Sequence, residues 1–338
     1  MNELLGREPV ELDMEAVSEF LNNQVVLVTG AGGSIGSELC RQVCRFSPKK
    51  LVLVDNAETP LFDIEQELKG RVPTEAHLCD VRLPERVEAV WAQEKPDIVL
   101  HAAAYKHVPM LERHPEEALG TNFGGSAHAH RASRTAGCKA FVLLSTDKAI
   151  QPTSIMGATK RAAELYCCTC PEEACRTVAV RFGNVLDSRG SVVPTFRRQI
   201  ESGGPVTVTD SEMKRYFMTI PEAAQLVLQA AALGESGRIY LLDMGEPVKI
   251  VDLARQMIAL SGKDIDIEFT GARPGERLFE PLDYADTKPT AHPKVFAYKD
   301  TGEPDWDAIR RLGSGAATVD ALLAVVPEYT PQGQGEQA

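Results

Sequence analysis

Val25-Val26-Leu27-Val28-Thr29-Gly30-Ala31-Gly32-Gly33-Ser34-Ile35-Gly36 decides the reading of this chain. A β-branched apolar run leads into a glycine-rich turn, and the residues that follow carry helical periodicity from about Ser34. Glycines at 30, 33 and 36 give G-x-x-G-x-x-G. The first permits the tight turn, the middle one lets backbone N–H groups approach a pyrophosphate, and the last lets helix pack on strand. The N–H groups of Ser34 and Ile35 then open a helix toward the phosphate charge. Asp55 ends the next apolar run, 19 residues after Gly36. A carboxylate there suits ribose hydroxyls and repels a 2′-phosphate, so NAD is expected rather than NADP. Cys79-Asp80-Val81 ends a third run, and there Asp80 and Val81 are expected beside the adenine.

Working outward, strands are expected at 24–29, 51–54, 76–79, 98–100, 141–144 and 178–182, with helices near 35–46, 60–69, 84–94, 116–136 and 157–170. This alternation predicts an α/β fold, a Rossmann-type doubly wound parallel sheet. After Phe182 the chain is richer in Gly, Ser, Pro and Arg, and helix 221–233, strand 238–243 and helix 248–261 follow. The expected division is an arm at 1–22, a dinucleotide-binding domain at 23–186, and a smaller substrate-binding lobe at 187–300. Elements at about 216–261 return to the main domain, and 301–338 form C-terminal helices and a tail.

With 338 residues, 25% charged and a formal charge of −12, the chain reads as globular and acidic. Nucleic acid is therefore not an expected partner, and any anionic substrate needs a local basic site. The N-terminus lacks the basic start and apolar middle of a signal peptide, and no apolar run is long enough to cross a bilayer. Eight cysteines at irregular spacing do not form a secreted framework, so the expected home is the cytoplasm. Cys167, Cys168, Cys170 and Cys175 read as buried thiols, and no metal site is expected.

Ser145-Thr146-Asp147-Lys148 ends the fifth run at the edge where doubly wound sheets bind ligands, and Met156-Gly157-Ala158-Thr159-Lys160 follows. With the glycine loop, His101-Ala102-Ala103-Ala104 and Asn122, these residues resemble an extended short-chain dehydrogenase/reductase. That superfamily carries Tyr-x-x-x-Lys; here the Lys is Lys160 and the Tyr position is Met156. Tyr166 cannot replace it, because Cys170 stands four residues on. Tyr105–Pro109, Arg181–Val185, Arg215–Ile220 and Arg273–Glu276 resemble bacterial UDP-N-acetylglucosamine 4,6-dehydratases of glycan biosynthesis, many of which carry Met at that position. The resemblance spans about residues 4–296.

That resemblance implies tightly bound NAD regenerated in each turnover, contacted by Gly30, Gly33, Ser34, Ile35, Gly36, Asp55, Asp80, Val81, Ala102, Ala103 and Lys160. Thr146 is expected to hydrogen-bond the sugar 4-oxygen. Asp147 is expected to take the 4-hydroxyl proton and Lys148 the 5-proton, with Met156 as apolar filling. Lys106, His107, Asn184, Arg189, Arg215, Arg273 and Glu276 are the expected contacts to UDP-N-acetylglucosamine. A homo-oligomer is expected. Leu4–Val10 resembles the junction after a membrane-spanning region in larger members, which implies part of a membrane-attached parent or a naturally short member. The same residues leave two alternatives, a UDP-sugar 4-epimerase and an inactive NAD-binding regulatory protein.

Overall fold

A computed structural model describes residues 12–170, 175–298, 302–313 and 318–331. Leu4–Val10 and most of the C-terminal tail lie outside these residues. Strands run β1 Val25–Thr29, β2 Lys50–Asp55, β3 Thr74–Leu78, β4 Ile98–His101, β5 Ala140–Leu144, β6 Arg176–Arg181, β7 Asn184–Val185, β8 Val206–Val208, β9 Lys214–Arg215, β10 Phe217–Met218, β11 Arg238–Leu242, β12 Val248–Lys249, β13 Ile267–Phe269, β14 Thr287–Pro289 and β15 Val295–Tyr298. Nine of them form one sheet in the order β3-β2-β1-β4-β5-β6-β11-β15-β14. It is parallel except for β15, which pairs antiparallel with both β11 and the edge strand β14.

The direction of winding reverses between β1 and β4. Because crossovers between parallel strands are right-handed, the helices entering and leaving that point cover opposite faces. Helices Met14–Leu21, Ser34–Val43 and Ile220–Leu233 pack together in one layer, and Pro84–Glu94, Ser126–Thr135 and Ile155–Cys168 in the other. Two-sided cover explains why every residue of β1, β4 and β5 is buried. Crevices of such sheets open at the carboxyl ends of the strands beside this reversal, which is where the candidate residues collect.

Two expectations are corrected. The single helix at 116–136 is instead Pro115–Ala118, a wide π turn at Leu119–Gly125, and Ser126–Thr135. A Cβ on Gly125 would lie 2.6 Å from the Val81 side chain, so the glycine pair lets this segment press against the end of β3. Residues 187–215 also contain helix Val192–Glu201, whose apolar face is Val193, Phe196 and Ile200. Flanking turn residues masked that periodicity. This helix joins Leu186, Val206, Val208, Met213 and helix Ile250–Ser261 in an apolar cluster of its own. Among the described residues, no helix is long and apolar enough to cross a membrane.

Candidate active site

The glycine loop is held by contacts that exclude side chains. Gly30 has φ +64°, and a Cβ there would lie 2.8 Å from the Ala103 nitrogen. A Cβ on Gly36 would stand 1.9 Å from the Gly30 carbonyl oxygen, so helix Ser34–Val43 sits directly on the turn. Gly33, the N-cap, brings no side-chain acceptor to the first-turn N–H groups, leaving those of Ser34 and Ile35 to meet an anion. Ala102 N–H donates to the Thr29 carbonyl at 3.2 Å, and Ala103 N–H to Thr29 Oγ1 at 3.3 Å, closing the cradle from β4.

His101 stiffens this seam. Ser126 Oγ donates to the Asn122 carbonyl at 2.7 Å, so it accepts from His101 Nε2 at 3.1 Å, and Nδ1 accepts from Thr29 Oγ1 at 2.8 Å. Burial pushes this imidazole down to about 3, consistent with a neutral ring. Asn122 pins the loop beyond β4, accepting from Tyr105 N–H at 2.8 Å and donating to Tyr105 O at 3.0 Å.

Asp55 does more than was expected of it: Oδ2 accepts from Gly32 N–H and Oδ1 from Ala57 N–H, each at 2.9 Å. It shapes the loop as well as standing at the end of β2. Asp80 lies just past β3, clamped by Arg82 at 2.6–3.1 Å, and those hydrogen bonds hold its carboxyl below the ordinary range. Neighbouring Val81 is buried.

At the end of β5, Thr146 caps the single turn Asp147–Ala149, and Asp147 N–H donates to the Phe182 carbonyl at 3.1 Å. Asp147 is fully buried. Its Oδ1 accepts from Thr146 Oγ1 at 2.8 Å and from Lys148 Nζ at 2.9 Å. Its Oδ2 is buried and, among the described residues, has no hydrogen-bond partner. Gly183 faces that oxygen, and a Cβ there would approach it to 3.2 Å. The Thr146 proton is thus given to Asp147 here, not left free for a sugar oxygen. Lys148 Nζ also lies 3.4 Å from Asn184 Oδ1.

Helix Ile155–Cys168 delivers Lys160 to the same region, and a Cβ on Gly157 would meet the Lys148 carbonyl at 2.1 Å. Gly157 therefore sets how closely that helix approaches the turn at Asp147–Ala149, a requirement that sequence spacing did not show. Lys160 is buried, which pushes its ammonium down to about 8 against the opposing charges of Glu164 and Cys167. Glu164 is also buried; it accepts from Ser145 at 2.6 Å and from Arg181 at 2.6 and 2.7 Å. Burial would raise this carboxyl most, but the charge and hydrogen bonds of Arg181, with Arg161 and Ser145, together hold it below its ordinary range. Met156 is core, packed with Leu119, Phe123 and Leu312. Tyr166 belongs to a ring cluster with Phe123, His130 and Trp306.

The expected sugar-side residues divide. Arg273 meets Glu276 in a two-pronged pair at 2.6 and 3.0 Å, so Glu276 orients the arginine. Lys106 Nζ donates to Ser188 Oγ at 3.2 Å, and the His107 ring faces Gly190. Partial burial, then the charges of Lys106 and Arg273, push His107 below its ordinary value.

Two arginines depart from expectation. Arg215, buried, donates to the carbonyls of Lys214, Leu278 and Arg277 at 2.8, 3.1 and 2.6 Å, so its guanidinium holds a loop. Arg189 donates to the Gly32 carbonyl at 3.1 Å, and its N–H to Ser34 Oγ at 3.1 Å, which places it on the glycine loop and not on the sugar side. Sequence distance hid both contacts. Glu280, buried 4.0 Å from Arg215, had no sequence signal beyond its neighbours. Cys167, Cys168 and Cys175 are buried thiols; Arg134 donates to Cys170 Sγ at 2.9 Å.

Residues 26–300 match the family model described as polysaccharide biosynthesis protein. The capsular polysaccharide biosynthesis protein CapD of Staphylococcus aureus is 53% identical over 83% of this chain and 49% of its own length. The chain thus spans about half the length of that relative. A UDP-N-acetylglucosamine 4,6-dehydratase (inverting) of Campylobacter jejuni is 32% identical over 77% of this chain and 78% of its own. The X-ray structure of Pen from Bacillus thuringiensis superposes with a TM-score of 0.77 at 31% identity, covering 82% of this chain and 90% of that one. The sheet order, the glycine cradle and these likenesses together show that the chain belongs to the polysaccharide biosynthesis protein family and has the extended short-chain dehydrogenase/reductase fold.

Proposed function

We propose that this chain is an NAD-dependent hydro-lyase that converts UDP-N-acetylglucosamine to a UDP-4-keto-6-deoxy-N-acetylhexosamine, with the 5-configuration retained, for bacterial glycan biosynthesis. The carrying observation is the Asp147–Lys148 pair: a buried carboxylate with one oxygen engaged and the other without a hydrogen-bond partner among the described residues, beside an amine, at the carboxyl edge of the sheet.

The glycine cradle fits the dinucleotide, since backbone contacts leave no room for a Cβ at Gly30 or Gly36 and the N-cap Gly33 brings no side-chain acceptor to the first-turn N–H groups. When bound, NAD accepts and returns the hydride that makes the net reaction a loss of water. Lys160 holds its nicotinamide ribose, Asp55 its adenosine ribose, and Asp80 and Val81 flank the adenine. Asp147 Oδ2 takes the proton of the sugar 4-hydroxyl, while Thr146 turns its own proton toward the 4-oxygen. The 4-ketone acidifies the 5-proton, which Lys148 removes as a neutral amine. Asp147 then protonates the departing 6-hydroxyl, and Lys148 returns its proton to the same face of C5, which is why retention is proposed. Met156 can neither give nor take a proton, so Asp147 does the work of the usual tyrosine.

Within this reading residues 23–186 bind the cofactor and 187–300 the nucleotide sugar. Arg273, oriented by Glu276, meets the diphosphate, with Arg215 released to it from the loop carbonyls; Asn184, Lys106 and His107 line the sugar. Incubation with UDP-N-acetylglucosamine in deuterated water, followed by NMR, tests the proposal. The expected product has a 4-keto group, no 6-hydroxyl and deuterium at C5. A 4-epimer with its 6-hydroxyl intact, or no turnover by NAD-loaded protein, overturns it; inverted C5 overturns retention alone.

A further inference from the structure

Ser188 to Ser191 form a tight turn, with Ser191 N–H donating to the Ser188 carbonyl at 3.0 Å, and Arg189 stands exposed at its tip. Three contacts fix the base of that turn. Asp187, at φ +61°, pairs at 3.1 Å with Arg197 on helix Val192–Glu201. Ser188 is buried, and its Oγ accepts from Lys106 Nζ at 3.2 Å. A Cβ on Gly190 would fall 2.8 Å from the His107 ring. Held in this way, the tip reaches the glycine loop: Arg189 N–H donates to Ser34 Oγ, and its guanidinium to the Gly32 carbonyl, each at 3.1 Å. Gly30 to Gly36 contains no Lys or Arg, in a chain whose formal charge is −12. The loop's own residues therefore offer a pyrophosphate backbone N–H groups and the partial charge of a helix end, but no full positive charge. Arg189 brings one from the second half of the chain.

We propose that Arg189 is a cofactor-binding residue: its guanidinium leaves the Gly32 carbonyl to pair with the dinucleotide pyrophosphate, and the 187–191 segment straps the cofactor in place. This rests on the NAD reading of the glycine cradle. The exchange is favourable because a carbonyl is a neutral acceptor, whereas a phosphate group is charged and can take two guanidinium N–H groups at once. The Ser34 contact uses the Arg189 backbone N–H, so the turn stays docked while the side chain changes partner. The same segment rests on Lys106 and His107, two of the proposed sugar-side residues, and so touches both halves of the cleft. A cofactor that is regenerated in each turnover has no need to leave, and a charged strap slows its release more than its arrival.

The test is ligand release, not turnover. Wild type, Arg189→Met and Arg189→Lys are each loaded with NAD, or with ADP-ribose, which keeps the pyrophosphate and lacks the nicotinamide. Each is then diluted into buffer without ligand, and the ligand still bound is followed over time by rapid gel filtration and chromatography. The Met variant should release both ligands about tenfold faster or more, as for a lost charge-assisted pair. The Lys variant keeps the charge without the planar fork and should fall between Met and wild type. Release of both ligands by the Met variant within about twofold of wild type would overturn the proposal. So would a Lys variant as fast as Met, which would make the shape of the turn, not its charge, the cause. Faster release of NAD with ADP-ribose unmoved would place Arg189 at the nicotinamide end and overturn the pyrophosphate contact. If wild type holds neither ligand, the cofactor reading itself has failed and the strap falls with it; if wild type and Met variant hold both equally well, the strap alone has failed.

Discussion

The two sides of the cleft are built from different materials. On the dinucleotide side, main chain packs on main chain, Gly30 against Ala102–Ala103 and Gly36 against Gly30, with the Asp55 carboxylate accepting from the Gly32 N–H. On the proposed sugar side, charged side chains hold partners they could exchange: Arg273 on Glu276, Arg215 on loop carbonyls, Lys106 on Ser188. A site made by backbone packing is preformed and intolerant of an added methyl group. A site made by paired side chains can trade one hydrogen-bond partner for another when an anion arrives, so its losses should be graded.

The turn at Asp147–Ala149, proposed to carry the chemistry, should give the largest effect. Asp147→Asn and Lys148→Ala should each lower kcat by about 10³-fold or more while NAD stays bound, measured by product formation and by cofactor released on denaturation. An active Asp147→Asn variant would break the assignment of that carboxylate.

Gly36→Ala tests the backbone side. The new Cβ would fall 1.9 Å from the Gly30 oxygen, so the helix must retreat from the loop. A loss of ~1–3 kcal/mol of stability is expected, together with loss of bound dinucleotide, by thermal unfolding and cofactor titration. Normal binding in this variant would show the cradle to be more yielding than its contacts indicate.

Lys160 sharpens the comparison, being a charged side chain placed on the rigid side. Its value of about 8 lies below the ordinary 10.5 of a lysine, so the unfolded chain binds more protons between those values. Stability from this group therefore rises with pH across that window, and burial of the ammonium costs most below it. Lys160→Met should stabilise the cofactor-free protein at pH 7 by roughly 1–3 kcal/mol and flatten that pH dependence, while activity falls. Denaturant melts at pH 7 and pH 10 check both.

The smallest effect is expected from the exchangeable side. Arg273→Ala should raise KM for the UDP-sugar by about tenfold with kcat within about twofold, because one charge-assisted pair is lost from binding alone. A fall in kcat equal to the rise in KM would place Arg273 in the chemistry.

Much of this was legible in residue order. Glycine spacing, the acid closing β2 and the Ser145–Lys148 strand end are local signals, and local signals survive in sequence. The helix at Val192–Glu201 was not legible, since its Val193, Phe196 and Ile200 face is surrounded by turn residues. Neither was the breadth of the turn at Leu119–Gly125, which depends on Val81 being pressed against Gly125. The roles of Arg189 and Arg215 depend on partners 157 and 62 residues away.

Sequence by itself determined the strand–loop–helix cradle, the acidic background of −12 and the adjacency of Asp147 and Lys148, because each is a property of neighbours along the chain. Only the tertiary structure decided that Asp147 Oδ2 lies buried against Gly183 without a hydrogen-bond partner among the described residues, and that Glu280 is buried 4.0 Å from Arg215. Burial and charge coupling depend on distance through space, which folding sets between residues the chain keeps far apart.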